Sequence, residues 1–177
     1  LVKGNRAGLP GALTSGAIVE TGGHGRAALR LASASVRLDV GSAVRVASAY
    51  ELTLQRGAVY VDSGRPLAGS DTIEIGTALG SVRHLGTQFE VRYFTAGALR
   101  VRVREGTVLI ERAGDTYETR AGAELTLRDG GEVRHSPVLA HGPAWDWIQR
   151  TAPPLAIEGL PLAVFLDWVS RETGRLW

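Results

Sequence analysis

Four histidines are the residues best equipped for chemistry: His24, His84, His135 and His141. A neutral imidazole ligates metals and moves protons near neutral pH. His24, His84 and His135 would hold a metal ion if the fold brought them together. Their spacing gives no such instruction, since no two stand at i, i+4 and no His-x-His occurs. The chain has no cysteine, which excludes thiolate catalysis, disulfides and Cys-containing zinc sites. It has no Gly-x-Ser-x-Gly elbow and no phosphate-binding Gly-x-x-x-x-Gly-Lys-Ser/Thr loop. Glu105, Asp129 and Glu132 fall at turns or strand ends, where solvated charge is the ordinary condition, and no carboxylate pair is nominated for acid–base work. Asp62-Ser63-Gly64 is a turn by composition. The expectation is therefore no enzyme, no metal and no cofactor.

Composition points to a folded body that works by contact. The 177 residues are 44% apolar and 21% charged, enough for an independent core. Twenty basic against 18 acidic side chains leave +2, and Lys3 is the only lysine. So weak a field, with arginines interleaved among Glu and Asp and few aromatics, does not suit nucleic acid. No run of 18 apolar residues spans a bilayer. No signal peptide opens the chain, which begins Leu1-Val2-Lys3-Gly4 without a methionine. A targeting or membrane segment is expected upstream.

Residues 13 to about 135 alternate apolar and polar in short runs between glycines. Examples are Val36-Arg37-Leu38-Asp39, Val59-Tyr60-Val61, Phe89-Glu90-Val91-Arg92-Tyr93 and Leu99-Arg100-Val101-Arg102-Val103. Period two means one buried and one wet face, with Arg30, Arg37, Arg45, Arg92, Arg100 and Arg102 in the wet slots. Gly22-Gly23, Gly57, Gly64, Gly86, Gly106, Gly114, Gly122 and Gly130-Gly131 are read as turns between strands. Leu52–Val61 echoes Val101–Ile110 as strand, glycine, strand, which suggests two similar hairpins. The fold class is mainly β: an all-antiparallel or solenoid-like domain of many short strands, sandwich and solenoid both open, followed by a short strand–helix appendage.

The pattern changes near Pro137. His141-Gly142-Pro143-Ala144-Trp145-Asp146-Trp147-Ile148 suggests a linker with a short helical turn, and Leu155-Ala156-Ile157 a short strand. Pro161 opens the one clear helix, with Leu162, Phe165, Leu166 and Val169 on one stripe, and Gly174 closes it. That helix is too short to stand alone and must dock. Either the stripe packs on the chain's own β body, or part of it, with Trp145, Trp147 and Trp168, serves a partner, as tryptophan often does at interfaces. The domain plan is a β domain over 1–136, a linker over 137–154 and a partial module over 155–177. The apolar end Leu176-Trp177 would favour dimer contacts in a crystal.

Five ordered blocks carry a family resemblance. Leu52-x-Leu54-x-x-Gly57-x-Val59-Tyr60-Val61-Asp62 is followed by Thr77-x-x-Gly80-x-Val82 and Gly86-Thr87-x-Phe89-x-Val91-Arg92. Val101-x-Val103-x-Glu105-Gly106-x-Val108 and Ala121-Gly122 complete the set, which resembles the FecR family over roughly residues 13–135. One departure is Ala123, inserted between the Ala-Gly pair and the polar Glu124. The tail from Leu155 to Gly174 is similar to the opening strand and helix of the secretin/TonB N-terminal type module that follows such domains.

The resemblance implies a role that composition does not show. FecR-type proteins are inner-membrane regulators whose periplasmic part senses a TonB-dependent outer-membrane transducer. Their cytoplasmic segment controls an extracytoplasmic-function sigma factor. By this resemblance the chain is the periplasmic part, attached to the membrane only through an upstream helix. Its expected partner is the transducer's N-terminal signalling domain and, indirectly, the sigma factor. The expected partner surface is Trp145, Trp147, Leu155, Ile157, Leu162, Phe165, Leu166, Trp168 and Val169. The expected structural motif is Gly57, Tyr60, Asp62, Gly86, Thr87, Phe89, Glu105, Gly106 and Gly122. Two other classes compete. A periplasmic glycan- or peptidoglycan-binding β domain would show a row of exposed aromatics, and a cupin-like metalloenzyme would gather His24, His84 and His135.

Overall fold

The computed structural model describes residues 2–3, 13–64 and 72–175. Among the described residues twelve strands form one hydrogen-bonded sheet. They are β1 (Val2–Lys3), β2 (Ile18–Glu20), β3 (Ala27–Leu31), β4 (Ala34–Leu38), β5 (Ala43–Val46) and β6 (Glu51–Asp62). Then come β7 (Glu74–Thr77), β8 (Gly80–Phe94), β9 (Ala98–Arg112), β10 (Asp115–Arg120), β11 (Ala123–Arg128) and β12 (Val133–Pro137). A 3-10 turn (Pro143–Trp145) runs into α1 (Asp146–Gln149), and α2 (Leu162–Thr173) is the last element among the described residues. The mainly β architecture is as expected. To the antiparallel pattern it adds two short parallel pairings, β1–β2 and β6–β7.

Three strands are much longer than the sequence pattern suggested, and they explain the sheet's shape. The early residues of β6 pair with β5 and β7, and its later residues with β4 and β8. β8 and β9 also change partners along their length. Ser81–Leu85 runs beside Thr107–Glu111, whereas Gln88–Phe94 runs beside Ala98–Glu105. The changeovers fall at Gly57, Gly86 and Gly106, with φ of 84°, 65° and 79°. These three glycines are therefore corners within continuous strands, not turns between strands as expected, and the echoed segments are each one bent strand. Period-two alternation continues on both sides of each corner, so the sequence shows a glycine without showing whether the chain turns back. At Gly57 a Cβ would also stand 2.5 Å from Ser42 Cα, so that corner needs glycine twice over.

Bent at the corners, the sheet has two halves. One runs β3-β4-β6-β8-β9-β11-β12 and the other β2-β5-β6-β7-β8-β9-β10. Both feed one apolar core. Val36, Val59, Val61, Phe89, Val91 and Val101 come from the first half, and Val44, Leu54, Ile75, Val82, Val108 and Ile110 from the second. Each such side chain contributes about 1.5–3 kcal/mol on burial.

The outer face of the first half is not wet. Arg37, Gln88, Glu90 and Arg104 alternate with core residues yet are buried, because residues 138–175 lie across them. The wet-slot expectation holds for Arg30 and Arg45, which are exposed, and fails for Arg37; Arg92, Arg100 and Arg102 are half-buried. The 137–154 stretch read as linker contains the buried Trp145, Trp147 and Ile148. The predicted strand Leu155–Ile157 does not form. Pro153 and Pro154 ahead of it lack the N–H a ladder needs. The appendage is thus a helix without its strand. That helix follows its signals: Pro161 precedes it in an extended conformation (ψ 141°), and Gly174 ends it at φ 69°.

Candidate interaction site

Tyr60 is the centre of the covered face. Strand register sets it in a cross-strand row with Arg37, Glu90, Arg102 and Glu124. Two layers cover it. The first is apolar: Trp145, Trp147 and Ile148 pack with Ala58 and Tyr60 as a second small core. The Trp145 ring meets Tyr60 edge-on at 6.3 Å, and its Nε1–H donates to the Leu139 carbonyl at 2.6 Å. The Trp147 Nε1–H donates to the buried Glu90 carboxylate at 2.8 Å, which also accepts from Arg100 at 3.0 Å. Burial pushes the Tyr60 phenol far above its ordinary value, so it stays neutral.

The second layer is ionic and belongs to the last turn of α2. Arg37 donates through both terminal nitrogens to the Glu172 carboxylate at 2.6 Å each, and to the Ile148 carbonyl at 3.0 Å. Arg104 lies over the Trp145 ring at 4.4 Å and donates to the carbonyls of Arg171 and Glu172, both at 3.3 Å. A cation there answers the partial negative charge at a helix C-terminus. Gln88 donates to the Arg171 carbonyl at 3.2 Å and to Asp62 at 2.9 Å. The Arg171 side chain pairs with Asp62 and with Glu105. Burial works to lower the Arg171 pKa, but the Asp62 and Glu105 carboxylates outweigh it and the net shift is upward. Gly174 lies so close to the Ala140 backbone that a Cβ would stand 2.8 Å from its carbonyl carbon.

A neighbouring ion cluster on the same face has Asp39 bound by Arg26 at 2.9 Å and Arg92 at 2.8 Å. Burial alone would raise the Asp39 pKa, and the two guanidiniums hold it below the usual carboxylate range instead.

The expected partner residues separate into three groups. Trp145 and Trp147 are buried in the chain itself, so the expectation that they serve a partner is corrected: their interface is intramolecular. Leu155, Phe165, Trp168 and Val169 are half-buried, and the rings of Phe165 and Trp168 stack at 6.3 Å. Ile157, Leu162 and Leu166 are exposed, joined by Val164, which the stripe did not include. Leu176-Trp177 lies outside the described residues.

The motif residues have distinct duties. Gly57, Gly86 and Gly106 are corners, and Phe89 is in the main core. Gly122 turns the chain between β10 and β11, its N–H donating to the Val103 carbonyl at 3.0 Å. Tyr60, Asp62 and Glu105 receive the tail. The Thr87 side chain lies outside what the structure describes. Sequence reasoning missed Arg37, Gln88, Arg104 and Arg171. The first three sit in strand slots that read as solvated until the tail is laid over them, and Arg171 is on the tail helix itself.

His84 is buried, and its Nε2 accepts the Ile73 N–H at 2.9 Å. His24, His135 and His141 are exposed. Among the described residues no group of three His, Cys, Asp or Glu could hold a metal ion. Among the described residues the exposed aromatics, Tyr50 and Phe94, precede β6 and end β8, and make no row.

The pattern of the family described as FecR protein matches residues 17–109. Two crystal structures of a candidate anti-sigma factor from Parabacteroides distasonis share the fold. One has TM-score 0.65 at 16% identity, covering 88% of this chain and 74% of the other. The second has TM-score 0.64 at 16% identity, covering 90% and 75%. Among curated proteins none matches the chain.

Proposed function

This chain belongs to the FecR family, and on that premise we propose that it is the periplasmic signalling part of a transmembrane sigma-factor regulator. It works by protein contact. It relays the state of a TonB-dependent outer-membrane transducer to an extracytoplasmic-function sigma factor through a membrane helix upstream of this chain. No helix among the described residues is long and apolar enough to cross a membrane. The structural neighbours described as a candidate anti-sigma factor support the regulatory half of this reading.

The observation that carries it is the apolar strip on the first half of α2. Leu162 and Leu166, one helical turn apart, are exposed although the helix is held at its other end, as is Ile157 in the segment before it; Val164, two residues from each, is exposed on another side of the helix. An amphipathic helix presented to a groove is a recurrent recognition mode. The transducer's N-terminal signalling domain takes this strip in our reading.

Capture of the purified chain by that signalling domain tests it. Leu166→Asp should abolish capture at concentrations where the parent chain is retained. The variant's melting curve should show that it remains folded, since Leu166 is partly exposed. Full capture of a folded Leu166→Asp chain overturns the assignment of the strip.

A further inference from the structure

We infer that Arg37, Tyr60, Asp62, Gln88 and Arg104 form a binding site for the last turn of a helix bearing an adjacent Arg-Glu pair. α2 fills this site in cis as a releasable plug.

The site reads its occupant in three ways. Arg37 takes the Glu172 carboxylate through both terminal nitrogens, and Asp62 takes the Arg171 guanidinium. Arg104 and Gln88 take the free carbonyls that end the helix. Tyr60 is the floor between the two arginines, whose guanidinium carbons lie 5.5 and 5.7 Å from its ring centre. A carboxylate, a guanidinium and unpaired helix carbonyls together define a peptide ligand, not a small anion.

Three observations make the plug releasable. First, the described hydrogen bonds from α2 to the sheet are charged or polar, and a buried ion pair roughly breaks even against solvation of its partners. The neighbouring anchor instead buries the side chains of Trp145, Trp147 and Ile148 against Ala58 and Tyr60, with Trp147 also bonded to Glu90. Second, the filled site is under-satisfied: Arg37 Nε, Arg104 Nε and Arg104 Nη2 are buried without an acceptor. Opening would hydrate all three. Third, residues 152–161 are mostly exposed and make no hydrogen bond to the sheet among the described residues. They contain Pro153-Pro154, and Gly159 at φ 75°. This is a tether on which α2 can leave while the tryptophan anchor stays. A short tether gives a high effective concentration, so the cis ligand excludes a weaker trans one.

Two measurements on the whole chain decide the matter, and neither uses a partner protein, so they stand apart from the transducer reading. In Glu172→Gln, amide hydrogen exchange over 162–173 should accelerate at least tenfold, while amides of β6, β8, β9 and 145–149 stay within twofold. Equal acceleration of helix and sheet, or none in the helix, overturns the releasable plug. A fluorescein-labelled peptide of residues 160–175 should bind saturably to the Arg171→Ala/Glu172→Ala chain, whose own ligand is removed. Binding should be at least tenfold weaker to the parent chain, where the site is filled, and to the Arg37→Ala/Arg171→Ala/Glu172→Ala chain, where it is damaged. No binding to the double variant, or equal binding to all three, overturns the site.

Discussion

His84 is a polar side chain the fold has absorbed. It lies under the main core, 5.7 Å from the Phe89 ring, accepting the Ile73 N–H. Burial pushes its pKa below the ordinary value, which is about 6.5. The unfolded chain therefore takes up this proton near pH 6.5, whereas the folded chain refuses it until lower pH. The stability from a neutral His84 is whole above about 6.5 and is lost as pH falls from there toward the lowered folded value. The urea midpoint should drop between pH 7 and 5.5, and His84→Gln should flatten that drop; an unchanged slope would remove His84 as its cause. In the sequence this histidine looked the same as His24 and His135. Tyr60, Asp62 and Glu105 stood out through the family resemblance, but their task of receiving Arg171 and Glu172 was hidden, because those residues lie more than 60 positions away.

Elements were legible where the pattern is local. α2 follows from its stripe, Pro161 and Gly174, all within one short window. The long strands were legible as alternation but not as bends. Gly57→Ala probes the difference. Positive φ costs a non-glycine residue about 1–2 kcal/mol, and the added Cβ would collide with Ser42, an overpacking worth about 1–3 kcal/mol. Equilibrium denaturation should show a loss in the range of those two costs combined, whereas Gly130→Ala, with open space around it and no positive φ, should change little. Comparable behaviour of the two would mean that Gly57 is an ordinary turn glycine. Leu155–Ile157 illustrates the opposite failure. Its β propensity is real, yet two prolines precede it and no strand forms there.

At the scale of the molecule, one bent sheet carries two cores, the large one between its halves and the small one under the tail. Trp145 joins body to tail. It is fully buried, touches Tyr60 and Arg104, and bonds back to Leu139. Trp145→Ala should cost about 3–5 kcal/mol, the range for large aromatic truncations in a core, read as a lower urea midpoint. Leu162→Ala, at an exposed position, should stay within about 0.5 kcal/mol. A mild Trp145→Ala would mean that the tail is not part of the folded unit. The enrichment of tryptophan near the C-terminus did mark an interface, but its other side is this chain's own sheet.

Alternation, glycine spacing and the helix stripe are properties of neighbours in sequence. They are dictated by backbone stereochemistry and one-sided burial, so a mainly β body with one terminal helix was written in the chain. Which polar face stays wet is a different kind of fact. It depends on what lies over that face, and here residues more than a hundred positions apart, Arg37 and Glu172, had to meet before either charge was hidden. Burial of a charge is set by the sum of all surrounding atoms, and only the packed molecule performs that sum.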